Sequence, residues 1–554
     1  MRASTSISAS DSDYASRRVT PLEWRWTLIA SVILLALFSA PYALGWSNSS
    51  ARAQFSGFLI GIEDMNSYLA KMRYGARDGW NLELVYTSEP HQGGFVYAPL
   101  LAIGKLAAAL SGEGSHVSMS ALVTAYHAAR LLCGLLLLTM IYRFVAEFMV
   151  DVGQRRAAWL LASIGGGLGW IMLFVNPSMR IMAGLPIELY VPEAYNALLI
   201  YSFPHLALAR SLMLGGWLLL FAALRDRDWR KTLLAGVAWL GMGLCVPFYV
   251  ALLGALLAAW LIGLMIVHRK IPISEIAFAF LAGALPLAYL IYNAWLFTTN
   301  PIFAIWSAQN MLPSPQLLDY VLGYGALLAL AIPAAQGLIK NGLQRRATVL
   351  IIWPIVAAAL VYAPINVQRR LLEGAYIPLS ILAVAGLTRL TESRGAWARR
   401  AAIAFMALLL PSTAMLLLTG VAAASSRTWP VFHPAPELAA LGWLDANVPS
   451  DSVVLSTRDS GMVLPVFSNV RTYLGHGPET AHYLDKERVV GEMLSSTDNA
   501  PRDRFFADNV IDYVWVGPPE SALCGQPLCA GQFPSPAFKV VFSNGDYSIY
   551  QVER

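Results

Sequence analysis

Charge is what this sequence has least of. Only 13% of its 554 residues are Asp, Glu, Lys or Arg, while 57% are hydrophobic. Soluble globular chains carry roughly 25% charged residues, so a purely soluble protein is excluded. Apolar runs of about 20 residues recur, the length needed to cross the hydrocarbon core of a bilayer. The net charge is +5, yet the Lys and Arg gather in short loops between these runs. That is the pattern of cytoplasm-facing orientation signals and not of a nucleic-acid surface. The composition is that of a polytopic α-helical membrane protein.

Cysteine is scarce too, with four residues in the whole chain. Cys133 and Cys245 lie in apolar runs and read as small packing residues. Cys524 and Cys529, in Cys-Gly-Gln-Pro-Leu-Cys, are spaced to close a small disulfide loop. A zinc site would need two further ligands nearby, and none is evident. If the two cysteines pair, that end of the chain lies outside the cytoplasm. The familiar metal motifs, phosphate-cradling Gly-rich loops and nucleophile elbows are also missing, as is any internal repeat. The stretch Gly165-Gly166-Gly167-Leu168-Gly169 sits inside an apolar run, where close helix packing accounts for it better than nucleotide binding.

In chain order, residues 1–24 are Ser-rich and read as a disordered cytoplasmic tail. The first span runs from Trp26 to Trp46, a cleaved signal peptide being the alternative. The segment 47–95 is then external, and it is too long to be a mere connection. Within it the spacing of Leu69, Met72, Ala76 and Trp80 predicts a short helix lying on the membrane. The run 95–111, interrupted by Pro99 and Lys105, is assigned as an external juxtamembrane helix. Only that choice leaves the later basic loops, such as Arg155-Arg156 and Lys340 to Arg346, on the cytoplasmic side. Further spans are expected at 119–149, 156–175, 196–224, 231–245, 247–268, 274–296, 316–340, 347–363, 375–391 and 400–424. This gives about 11 transmembrane helices, a cytoplasmic N-terminus and an extracytoplasmic C-terminal region in an integral cell membrane protein.

The chain thus divides into a transmembrane domain over 25–428, with an external first loop over 47–118, and a small α/β domain over 429–554. Pro430, Pro434 and Pro436 read as a linker into that domain. Helices are expected at 437–447 and 483–495, and strands at Val453–Thr457 and Ile511–Val516. Phe538–Phe542 and Tyr547–Val552 flank Ser543-Asn544-Gly545-Asp546, a hairpin turn.

Four features carry chemistry on the outer side. They are the adjacent acids Glu63 and Asp64, the loop 176–195 with Glu188 and Glu193, the segment Tyr201-Ser202-Phe203-Pro204-His205 with nearby Arg210, and the pair Arg369-Arg370. Acids beside a bilayer are costly, which makes Glu63-Asp64 a candidate functional pair; capping a helix N-terminus is the plainer alternative. Arg369 and Arg370 break the positive-inside pattern, and paired guanidiniums suit a phosphate. They could equally snorkel or pair with Glu373. A carboxylate to deprotonate an acceptor hydroxyl, with arginines to neutralise a phosphate leaving group, meets the need of a sugar transferase using a polyprenyl-phosphate donor. The rival is a polytopic transporter or flippase, which would favour ionisable groups at mid-membrane and two related halves.

This arrangement resembles the GT-C superfamily of integral-membrane glycosyltransferases, which includes protein O-mannosyltransferases and aminoarabinose transferases. The resemblance rests on Glu63-Asp64-Met65-Asn66-Ser67-Tyr68, on Gln368-Arg369-Arg370-Leu371-Leu372-Glu373-Gly374 and on Gly475-His476-Gly477-Pro478-Glu479-Thr480. It implies that an acid of the first external loop is the general base, by position Asp64 with Glu63 as the alternative. Many members have Asp before Glu, the reverse of the order here. The expected reaction is an inverting transfer from a polyprenyl-phosphate-sugar donor to a lipid, glycan or protein acceptor, with Arg369 and Arg370 on the donor phosphate. Glu193, His205 and Tyr68 are expected to line the substrate site. Some members use a divalent metal and others do not; no ligand set in this sequence decides between them.

Overall fold

The computed structural model describes residues 17–175, 185–392 and 395–553. Of the expected N-terminal tail, residues 1–16 lie outside the described residues, as do 176–184 of the acidic loop.

The first helix, α1 (Pro21–Ser47), begins five residues before the expected span. Its start is written in Thr20-Pro21-Leu22-Glu23. The Thr20 N–H donates to the Glu23 carboxylate at 3.0 Å, and the Glu23 N–H donates to the Thr20 hydroxyl at 3.2 Å. This reciprocal cap, with proline in the first turn, is a strong helix-start signal.

Among the described residues, seven helical segments are long and apolar enough to cross a membrane: α1, Met119–Phe148 (α4), Pro204–Asp226, Tyr249–His268, Ile273–Thr299, Leu317–Lys340 and Gly395–Ser426. Shorter apolar helices occupy Ala98–Ser111 (α3), Ala347–Leu360 and Tyr376–Thr391. The chain is a polytopic helical membrane protein. The expected span 156–175 is broken: its helix ends at Ile164, and the glycine run follows as irregular chain. There Gly169 donates its N–H to the buried Glu188 carboxylate at 2.9 Å. The glycines do serve close approach: a Cβ on Gly167 would lie 2.4 Å from Gly323 Cα in the helix Leu317–Lys340, and one on Gly169 would lie 2.5 Å from the Glu188 carboxylate.

The chain forms two compact units. One comprises residues 1–40, 129–293 and 312–419, and is helical. Its helices Leu317–Lys340 and Tyr376–Glu392 meet where a Cβ on Gly386 would lie 1.8 Å from the Leu330 carbonyl oxygen. Helices Pro204–Asp226 and Trp229–Cys245 pack through Trp217 and Trp239, whose ring centroids are 5.7 Å apart.

The other unit comprises 41–128, 294–311 and 420–554, so the first loop and the C-terminal region fold together. A two-stranded sheet joins β1 (Ala53–Phe55) to β2 (Phe432–Pro434), antiparallel. The expected proline linker is thus partly a strand, with Pro434, which has no N–H to donate, at its end. A five-stranded sheet has the order β4-β3-β5-β7-β6, from β3 (Val453–Leu455), β4 (Arg471–Thr472), β5 (Tyr513–Val516), β6 (Phe538–Asn544) and β7 (Tyr547–Val552). β3 runs parallel to β4 and β5, and β6-β7 is the expected hairpin with Gly545 at φ 58° in its turn. Helices Ala435–Asn447 and Tyr483–Ser495 fall where expected. Buried side chains such as Val454, Leu441 and Trp515 fill one face of the sheet, and Val514, Val490 and Phe505 the other. Cys524 and Cys529 are disulfide-bonded.

The helix predicted on the membrane surface exists as α2 (Ile62–Arg77), but it is buried in protein. Met65 through Gly75 are all buried, and Trp80 lies beyond its end, exposed. α2 packs on α3 so closely that a Cβ on Gly104 would lie 1.8 Å from the Met72 carbonyl oxygen. A side chain there must force the helices apart, so Gly104→Val is expected to cost about 1–3 kcal/mol or more. It should lower the unfolding temperature of the purified protein in detergent. Gly254→Ala, at a position with open space around it, serves as the control and should not.

Candidate active site

Both members of the acid pair occupy the first turn of α2, where the positive end of the helix dipole favours negative charge. Their surroundings differ. Glu63 accepts a hydrogen bond from the Arg458 guanidinium at 2.6 Å, and Arg458 in turn lies over the Tyr483 ring. Asp64, half exposed, has one carboxylate oxygen 3.8 Å from Nε2 of His476. Tyr68, one turn further along α2, is buried.

His476 belongs to Gly475–Thr480, which lies against α2. Its other ring nitrogen, Nδ1, is 3.3 Å from the Glu479 carboxylate, an ion-pair distance without hydrogen-bond geometry. Glu479 is buried and accepts from Lys71 Nζ at 2.6 Å and from the Ser67 hydroxyl at 2.8 Å. Lys71 also donates to Ser67 and lies over the Tyr97 ring, 4.7 Å from its centroid. The segment is clamped from elsewhere as well. The Thr480 hydroxyl donates to the Tyr86 carbonyl at 2.8 Å, and the Gln309 side chain donates to the Thr480 carbonyl at 2.8 Å. Burial alone would raise the Glu479 carboxyl, but the charges of Lys71 and His476, with the Lys71 and Ser67 hydrogen bonds, hold it below the ordinary range.

The remaining candidates lie in the helical unit. Arg369 and Arg370 sit on a short 3-10 helix, Gln368–Leu372. Arg369 lies over the Tyr190 ring at 5.3 Å, with no ion pair to a carboxylate among the described residues. Arg370 lies over Phe248, with its Nε 3.4 Å from the buried Glu193 carboxylate. The plainer reading pairs these arginines with Glu373, whose carboxylate is held by another guanidinium. Glu373 is gripped bidentately by Arg210 at 2.5 and 2.6 Å, and Arg210 also donates to Asn196 at 2.8 Å. His205 is buried in the first turn of its helix, and Glu188 is buried against Gly169. Among the described residues, no group of three or more His, Cys, Asp or Glu side chains could hold a metal ion.

No family model matches the chain, and no curated protein matches it in sequence. Solved structures do. The oligosaccharyltransferase of Archaeoglobus fulgidus, tethered to an acceptor peptide, superposes with a TM-score of 0.55 at 14% identity, covering 89% of this chain and 69% of its own. The same organism's AglB, in complex with an inhibitory peptide and a dolichol-phosphate, gives 0.55 at 13% identity, covering 90% and 70%. ArnT from Cupriavidus metallidurans, bound to undecaprenyl phosphate, gives 0.54 at 13% identity, covering 96% and 98%. The fold is that of the GT-C membrane glycosyltransferases.

On this GT-C scaffold the residues that sequence reasoning did not assign are His476, Glu479, Lys71 and Arg458. The segment Gly475–Thr480 stood out by resemblance, but its contact with α2 spans about four hundred residues of chain and has no local signature. The Lys71–Glu479 pair makes the site acid-sensitive. A carboxyl held low in the folded state contributes stability that is complete above its unfolded value, about 4.3, and is lost as pH falls through the folded one. Glu479→Gln leaves Lys71 buried without its partner and should cost about 3–5 kcal/mol near neutrality. The gap in unfolding temperature between the wild type and this variant should shrink as pH falls below about 4.3. A gap independent of pH would show that the pair does not act this way.

Proposed function

We propose that this chain transfers a sugar from a polyprenyl-phosphate-linked donor to an acceptor on the extracytoplasmic face of the membrane. The N-terminus is then cytoplasmic, and the unit carrying the first loop and the C-terminal region is extracytoplasmic. Asp64 is the general base: it takes the proton of the acceptor, whose freed electron pair attacks C1 of the sugar. The C1–O bond to phosphate breaks, and the polyprenyl phosphate leaves with the electrons of that bond, inverting the configuration at C1. Arg369 and Arg370 neutralise the departing phosphate, as guanidiniums do at phosphate sites. Glu193, beside Arg370, fixes that arginine, and His205 and Tyr68 complete the substrate surroundings.

The observation that carries this reading is the contrast between the two acids of α2. Glu63 is ion-paired with the Arg458 guanidinium, while Asp64, exposed to a similar degree (50% against 42%), has an imidazole beside it. That arrangement supports Asp64 over Glu63 as the base. The fold neighbours bound to dolichol-phosphate and undecaprenyl phosphate support the donor class.

The test uses membranes of a deletion strain expressing each variant, as their own source of donor and acceptor, with released polyprenyl phosphate followed by mass spectrometry. Loss of a general base typically costs about 10²–10⁴-fold, so Asp64→Asn should fall at least that far with membrane insertion unchanged. Activity equal to wild type would sink the base assignment. Arg369→Gln should raise the donor concentration needed for half-maximal rate without lowering the unfolding temperature, because no carboxylate among the described residues is ion-paired with that guanidinium.

A further inference from the structure

We propose that His476 is a positioning residue for Asp64, holding the carboxylate by an Nε2–H donor while Glu479, anchored by Lys71, fixes the imidazole from behind. This rests on Asp64 being the base, as proposed above. The geometry has three links. Nε2 of His476 is 3.8 Å from the Asp64 carboxylate, a distance that a small closing movement on substrate binding turns into a hydrogen bond. Nδ1 lies 3.3 Å from Glu479, close enough for charge attraction to hold the ring although not in hydrogen-bond geometry. Glu479 cannot swing away, because Lys71 and Ser67 hold the same oxygen at 2.6 and 2.8 Å.

The imidazole is itself held. It is buried, and its ring centroid is 5.9 Å from that of Tyr86, whose hydroxyl donates to the Met462 carbonyl at 3.0 Å. His476 therefore has little freedom beyond the edge it presents to Asp64. One oxygen of Asp64 faces this donor. Among the described residues, the charged and titratable groups around the pair include Glu63 on α2's first turn with its partner Arg458, Lys71 two turns along α2, Glu479 on the segment of His476, and Tyr86 and Tyr483 from neighbouring elements.

A donor hydrogen-bonded to a carboxylate favours its charged form. Removing it must make Asp64 harder to ionise, which a purely structural histidine would not do. The experiment is the pH dependence of polyprenyl phosphate release in the same membranes, per unit of folded protein, for wild type, His476→Ala and His476→Gln. Base catalysis gives a rate that rises with pH through the base's pKa. In His476→Ala that acid limb should move toward higher pH by about one unit, with the plateau rate about 10–100-fold lower. His476→Gln keeps an N–H donor and should lie nearer the wild type on both measures; it also stands in if the alanine variant does not fold.

An acid limb at the wild-type position in His476→Ala, or in His476→Gln where only that variant folds with a lowered rate, overturns the proposal and leaves a structural role. Asp64→Asn, run alongside, separates the two levels. If it is inactive while the limb in His476→Ala is unmoved, only the positioning role fails. If it releases polyprenyl phosphate at the wild-type rate, the base assignment itself fails.

Discussion

The buried Lys71–Glu479 pair is the contact on which the candidate site depends. It joins the middle of α2 to the segment Gly475–Thr480, 408 residues away in sequence. Two charges removed from water are stable only when paired and further hydrogen-bonded, and Ser67 supplies that additional bond. The pair's geometry then fixes what lies beside it. With Glu479 held, His476 has one side set, and its other ring nitrogen faces Asp64.

The same economy of buried charge appears in the helical unit. Arg210 takes Glu373 with two hydrogen bonds and satisfies its remaining donors on Asn196 and the Glu193 carbonyl. This arrangement removes Glu373 from competition for Arg369 and Arg370, which lie a few residues earlier on the chain. A carboxylate already neutralised cannot quench the neighbouring guanidiniums. Arg369 consequently rests on an aromatic face, a contact that keeps a cation oriented without cancelling its charge. Arg370 is partly tied to Glu193.

Close backbone approach is the other recurring constraint. α2 can bury eleven consecutive residues because α3 meets it at Gly104 without an intervening side chain. The helix that periodicity placed on a membrane surface is instead an internal element. Amphipathic spacing reports that one face is apolar, not whether lipid or protein covers it. The glycine run at 165–169 is a similar case: apolar composition predicted a continuous helix, while Gly169 serves a buried carboxylate.

What the sequence determined by itself was whatever depends on composition and short-range pattern. Long apolar runs specified a helical membrane protein, and the later strands and helices of the C-terminal region, with the Asn544-Gly545 turn, followed from local alternation and turn chemistry. A helix behind the acid pair was also legible, from the spacing of Leu69 and Met72, although it starts earlier, at Ile62, and takes both acids into its first turn. The start of α1 in Thr20-Pro21-Leu22-Glu23 falls within the stretch expected to be a disordered tail, and only its capping hydrogen bonds show it. Tertiary structure alone decided the pairing of β1 with β2, too short for any alternating pattern, and the partners of each charge. Glu63 with Arg458, Asp64 with His476 and Glu373 with Arg210 are contacts across 163 to 412 residues of chain. Which charges meet is set by how the buried elements pack, because each buried charge must find a partner and nothing in its neighbouring sequence names one.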